Sequence, residues 1–179
     1  MIRSVLLLLA LAGCASAPRS AAPAAPAAVT DEAAVYAAVI DHFVGAGKSA
    51  VVIDSTNLRG PVGSDVARRA SAELASSFAE ANRAPRAIPR PLPTARTIRF
   101  TRHRELPFSA PGAGVEELET RWRRFGELFP GAEGFYQFSA IGFDAARSTA
   151  VLYTSHSCGS LCGSGNLVTL RRTGGRWQV

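Results

Sequence analysis

The sequence predicts an α+β domain: three helices packed on an antiparallel sheet that ends in a C-terminal meander. Three observations lead there. Apolar residues recur at helical spacing in three stretches of the first two thirds of the chain, whereas the last third alternates in short runs punctuated by glycine. The 179 residues are 47% hydrophobic and 19% charged, which is enough apolar surface for one core and too little charge for wholesale disorder. Helices followed by strands is the element order of helices layered on a sheet.

The first helix begins at Thr30, whose hydroxyl suits an N-cap, with Asp31 and Glu32 at the positive end of the helix dipole. Val35, Tyr36, Val39, Ile40 and Phe43 form one stripe, and Gly45 and Gly47 close it. The apolar run Ala50 to Ile53 is too short for a helix and reads as a buried strand, followed by a polar loop over 54–63. Ser64 and Asp65 open a second helix in which Val66, Ala70, Leu74 and Phe78 recur every four residues, fading near Asn82. Residues 83–93 carry four prolines and cannot be regular. After them Thr97, Arg99 and Thr101 alternate with Ile98 and Phe100 in a half-buried strand.

A third helix places Val115, Leu118, Trp122, Phe125 and Phe129 on one face. It is supported by the pairs Glu117–Arg121 and Glu119–Arg123 and stopped at Phe129-Pro130-Gly131. Strands are expected over 135–143, 149–157 and 165–172, then a terminal 176–179 after Thr173-Gly174-Gly175.

Ahead of Thr30 the composition changes. Arg3, the apolar run Val5 to Ala12 and the small residues after it read as an export signal over residues 1–13. Eight apolar residues fall far short of the roughly 20 that a bilayer span needs. The stretch Leu11-Ala12-Gly13-Cys14 resembles the lipobox of bacterial lipoproteins at all four positions. That resemblance implies a diacylglyceryl group on the Cys14 thiol, cleavage just before it and, with Ala15 rather than Asp next, residence at the outer membrane facing the periplasm. Each buried CH₂ adds about 0.8 kcal/mol, so two or three chains make release negligible and the membrane becomes the expected partner. Residues 14–29, Ala-rich with Pro18, Pro23 and Pro26, have too little apolar surface to pack and read as a tether to a single globular domain over 30–179.

Trp122, Gly142-Phe143-Asp144, Val151-Leu152-Tyr153, the Cys-Gly-Ser-Leu-Cys-Gly of Cys158 to Gly163 and the closing Gly-Arg-Trp-Gln-Val are similar to an uncharacterised bacterial secreted domain, over about sixty residues. The resemblance implies the meander and the paired cysteines and supplies no activity.

If lipid consumes Cys14, the remaining cysteines, Cys158 and Cys162, are an even pair in an oxidising compartment. Gly159, Gly163 and Gly165 place them in a tight connection, and a disulfide closing so short a loop contributes about 2 kcal/mol. Two other uses of these residues stay open. A thiol-redox pair is one, although Cys-x-x-x-Cys has one residue more than the usual redox motif and no helix follows. A zinc or copper site with His156 is the other, since residues 156 and 158 share a strand face, although no fourth ligand is close in sequence. A nucleophilic Cys158 with His156 as base needs a free thiol, which a disulfide excludes. The alternative function is therefore a periplasmic thiol-redox or metal-dependent enzyme centred on His156, Cys158 and Cys162.

No catalytic residue or cofactor is otherwise expected. His42 borders the first helix's stripe and His103 a charged strand end, with no ligand spacing between them. Asp54, a conceivable general base, sits in Asp54-Ser55-Thr56, where such residues make local turn hydrogen bonds. Gly45 to Ser49 lacks the spacing of a phosphate-binding loop.

The chain carries 20 Lys+Arg against 14 Asp+Glu, and the excess is local. Arg83, Arg86, Arg90, Arg96, Arg99, Arg102 and Arg104 fall in a segment without a single acid. The segment reads either as solvated surface in a chain rich in Ala, Arg, Pro and Gly, or as a docking surface for anionic envelope components such as lipid head groups and lipopolysaccharide phosphates. Nucleic acid is not an expected partner in that compartment, and nothing in the sequence sets an oligomeric state. The expected function is a lipid-anchored exported binding or structural module of the cell envelope, not an enzyme.

Overall fold

Residues 29–57, 62–108 and 114–179 are described by the computed structural model; Cys14, the signal and nearly all of the tether lie outside them. The elements run α1 (Asp31–Phe43), β1 (Ser49–Ile53), α2 (Val62–Arg69), α3 (Ala72–Ala81), β2 (Thr97–Thr101), a 3-10 turn (His103–Glu105), α4 (Val115–Leu128), β3 (Ala132–Phe138), β4 (Gly142–Phe143), β5 (Thr149–Gly159), β6 (Cys162–Thr173) and β7 (Arg176–Gln178). None of these helices is long and apolar enough to cross a membrane.

The α+β class holds, but the sheet is mixed and not antiparallel. Its order is β2-β1-β3-β5-β6-β7, with β4 also on β5, and β1 runs parallel to both of its neighbours. The physical reason lies in the connections. Helices α2 and α3 separate β1 from β2, and α4 separates β2 from β3, so each return is a crossover that brings the chain back in the same direction. Only the tail of short turns, from β3 through β7, is antiparallel.

The described residues form four α-helices and not three, because the stripe from Val66 to Phe78 is broken. Ser71 accepts a hydrogen bond from the Leu74 backbone N–H at 3.2 Å and caps a new helix at Ala72, so α2 ends at Arg69. Val66, Leu74 and Phe78 still share one buried cluster with Val151 of β5.

The expected strand over 135–143 is likewise divided. β3 and β4 lie end to end along β5, and between them Ala140 turns to α3, where the Asn82 side chain accepts from its N–H at 2.8 Å and donates to its carbonyl at 3.1 Å. One amide thus replaces the missing ladder partner for a buried backbone unit.

Strand alternation divides the core into two layers. Val52, Tyr136, Phe138, Leu152 and Leu170 pack with Val35, Val39 and Ile40 of α1 on one face. Val51, Ile53 and Phe135 pack under Phe125 and Phe129 of α4 on the other. The first turn of α1 is tied to the sheet by charge. Arg147 donates to Asp31 at 2.8 Å and Glu32 at 3.1 Å, Arg172 reaches Asp31 at 3.3 Å, and Arg147 also lies 4.1 Å over the Phe143 ring. These guanidiniums, Arg147 foremost, hold the Asp31 carboxyl below its ordinary range.

The β4–β5 turn has its own lock. The Asp144 carboxylate accepts from the Ser148 hydroxyl and backbone N–H, both at 2.7 Å, and from the Thr149 N–H at 3.0 Å, which holds its pKa down at about 2. Because the folded pKa lies below the unfolded value near 3.9, this stabilisation is present above about pH 4 and lost as pH falls toward 2. Asp144→Asn should lower the melting temperature at pH 7 by a few degrees. Melts of both proteins from pH 6 to pH 2 should show the gap closing through that acidic window; a gap independent of pH would contradict the assignment.

Candidate functional site

The β5–β6 hairpin continues beyond its last pairing with β3, at Ser157 and Phe135, and its tip carries the two cysteines. Gly159 pairs with Cys162 around Ser160 and a fully exposed Leu161, and a register shift between Ser157 and Gly159 sets Cys158 apart from the regular ladder. Cys158 and Cys162 form a disulfide with Cα atoms 5.0 Å apart, inside the range that such a bond requires.

The other wall of the site is α4. Trp122 stands one helical turn before Phe125 and Gly126, so two aromatic rings and a gap line the site beside the hairpin. The floor is Ala132, Glu133 and Gly134, where β3 carries an extra residue: Ser49 pairs with Ala132 and Val51 with Phe135, leaving two residues opposite one. Gly134 sits at φ +131, and a Cβ there would strike the Ser157 carbonyl oxygen and stand 2.9 Å from His156 Nε2. The bulge thus brings β3 against β5 at the foot of the hairpin. Trp122, Phe125, Glu133, His156 and both cysteines enclose a groove of about 510 Å³.

Two ionisable groups occupy it. His156 stacks on Tyr136 with ring centroids 4.3 Å apart, and its Nε2 is buried without a hydrogen-bond partner. Burial holds its pKa below the ordinary imidazole value, against the opposing pull of the Glu133 carbonyl and carboxylate, so the ring is neutral near pH 7. Glu133 pairs with Lys48 at 2.8 Å on the rim. Neither sulfur is free: the cysteines are bonded to each other, which removes the thiolates that a nucleophile or a metal ion would require. No cluster of three His, Cys, Asp or Glu suited to a metal occurs among the described residues. What remains is a groove lined by an apolar aromatic wall, a disulfide and an uncharged imidazole with its Nε2 buried.

The structure therefore brings His156, Cys158 and Cys162 together, as their spacing predicts. The seven arginines are not gathered into one patch. Arg83 pairs with Glu80 at 2.7 Å, and Arg96 donates to the Gly45 carbonyl at 3.3 Å and approaches Asp41. Arg102 lies 3.9 Å from Asp54 and 3.6 Å from Glu105, so Asp54 faces a cation on the neighbouring strand end. Arg90 lies over the Phe100 ring at 4.0 Å and Arg99 over Phe129 at 4.8 Å, while Arg86 and Arg104 are exposed. His42 is exposed with its ring edge on Phe43, and His103 begins the 3-10 turn.

Sequence reasoning read Trp122 and Phe125 as core stripe and missed their second role, as it missed Glu133 and Gly134. A glycine inside an alternating strand marks a bulge or a close approach, and Gly134 was that signal.

No family model matches the chain, and no curated protein matches it. Among solved structures it has a weak likeness to the crystal structure of protein VC0702 from Vibrio cholerae, with 14% sequence identity and a TM-score of 0.21. The match covers 71% of this chain and 66% of that one, and a likeness at this level carries no argument about fold or activity.

Proposed function

We propose that the chain is an exported, lipid-tethered protein of the bacterial envelope whose α+β domain works as a binding module and not as an enzyme. One observation supports this above the others. The Cys158–Cys162 bond uses two of the three cysteines, so Cys14 is the odd one, and it stands where the lipobox pattern puts the lipid-bearing residue. The groove at the hairpin suits binding: it offers aromatic surface, a neutral imidazole and no reactive thiol.

The test is the intact mass of the protein taken from membranes, with and without alkylation. The expected result is a chain beginning at Cys14 and carrying diacylglyceryl, with no alkylated thiol before reduction and two after it. An unacylated, water-soluble product would overturn the tether. Two free thiols before reduction would transfer the reading to the thiol or metal enzyme centred on His156, Cys158 and Cys162.

A further inference from the structure

Strand β2 is the outermost strand at its side of the sheet, paired with β1 alone among the described residues. The Asp54 N–H donates to the Thr101 carbonyl at 2.9 Å, so Thr101, and by alternation Arg99 and Thr97, turn their backbone groups toward β1. The N–H and C=O groups of Ile98 and Phe100 then point away from the sheet, along an open edge. Such an edge is a template for a further strand, and natural sheets guard it with charge.

The charge here is predominantly positive, with Asp41, Asp54 and Glu105 as the acids within reach. Arg96 precedes β2, Arg99 lies at its centre, Arg102 and Arg104 follow it, and Arg90 covers Phe100. Arg96 and Arg102 have carboxylates within 4 Å, whereas Arg90, Arg99 and Arg104 have none at ion-pair distance among the described residues. Two observations thus coincide along one edge: an unpaired ladder at Ile98 and Phe100, and the three guanidiniums of Arg90, Arg99 and Arg104 with no carboxylate at ion-pair distance among the described residues.

We propose that this edge receives an extended acidic peptide as an added strand. The inference rests on the binding-module reading and names the partner's chemistry. A second copy of this chain is disfavoured, because antiparallel pairing about Arg99 would place Arg99 against Arg99. A lipid surface would meet the guanidiniums but has no alternating donors and acceptors for Ile98 and Phe100. A strand supplies both, with carboxylates on the α4 face opposite Arg99 and apolar side chains opposite half-buried Ile98 and Phe100.

The experiment uses the mature protein in non-ionic detergent and a fluorescent heptapeptide alternating Glu and Val. Anisotropy should show binding that weakens about tenfold or more for Arg99→Glu and stays within about twofold for Arg176→Glu, an equal charge change on β7 at the opposite edge. The same peptide N-methylated at alternate residues should fail to bind. Arg99→Ala is the second variant if Arg99→Glu does not fold. Equal binding of the N-methylated peptide, equal losses in both Glu variants, or no peptide binding beside Arg99-dependent capture of phosphatidylglycerol vesicles would each overturn the proposal. None of these outcomes touches the mass measurement at Cys14, so the two readings fail separately.

Discussion

Gly134→Ala is expected to be strongly destabilising, costing about 4 kcal/mol and lowering the melting temperature by about 10 °C. Two independent penalties meet there. At φ +131 an L side chain strains the backbone, which costs about 1–3 kcal/mol. The new Cβ also meets the Ser157 carbonyl oxygen and comes within 2.8 Å of the Cys158 Cα, so it presses on backbone that cannot swing aside. Relief requires β3 and β5 to part at the foot of the hairpin, which would open the groove and expose His156. Gly174→Ala supplies the calibration: its φ is +57, but nothing lies within 4 Å of the added carbon, so strain alone should cost about 1 kcal/mol. Thermal melts followed by circular dichroism, with Trp122 fluorescence as a local probe, would refute the argument if the two variants lost equal stability.

Phe138→Ala should cost about 4 kcal/mol by removing a ring at the centre of the main core. Phe138 is fully buried on β3, with its ring 5.3 Å from Tyr36 and 6.4 Å from Tyr136. The loss would not stay local. Tyr36 donates its hydroxyl to the Ser139 carbonyl at 2.9 Å, and burial holds that phenol above its ordinary pKa, so the bond depends on the same packing. Urea unfolding should show a lower midpoint with an unchanged slope, and Phe138→Leu should recover more than half the loss. A variant with a wild-type midpoint would mean that the β3–α1 interface does not carry the core.

Much of this architecture was legible residue by residue. The Thr30 cap does accept from the Ala33 N–H at 3.2 Å, and Glu117–Arg121 is a real pair at 2.5 Å, because both depend on contacts three or four residues apart. The run Ala50 to Ile53 is a buried strand, since four apolar residues between turn signals leave little else. What periodicity does not encode is direction and neighbour. Nothing in the alternation of residues 97–101 says that β2 lies parallel to β1, or that β1 sits between β2 and β3. A capping serine inside an unbroken apolar stripe was likewise invisible, because Ser71 restarts the helix without changing the spacing of Val66, Leu74 and Phe78. The site was half legible. His156, Cys158 and Cys162 lie within seven residues, whereas Trp122 and Glu133 join them only through a crossover and a bulge.

The clasp of Arg147 and Arg172 on the first turn of α1 has a mechanical consequence. Any pull on the chain ahead of Thr30 reaches Asp31 and Glu32 first and passes through those guanidiniums to the β4–β5 turn and β6. Tension therefore reaches the interior strands from the outset, and peeling α1 from its first turn requires these ion pairs to break first.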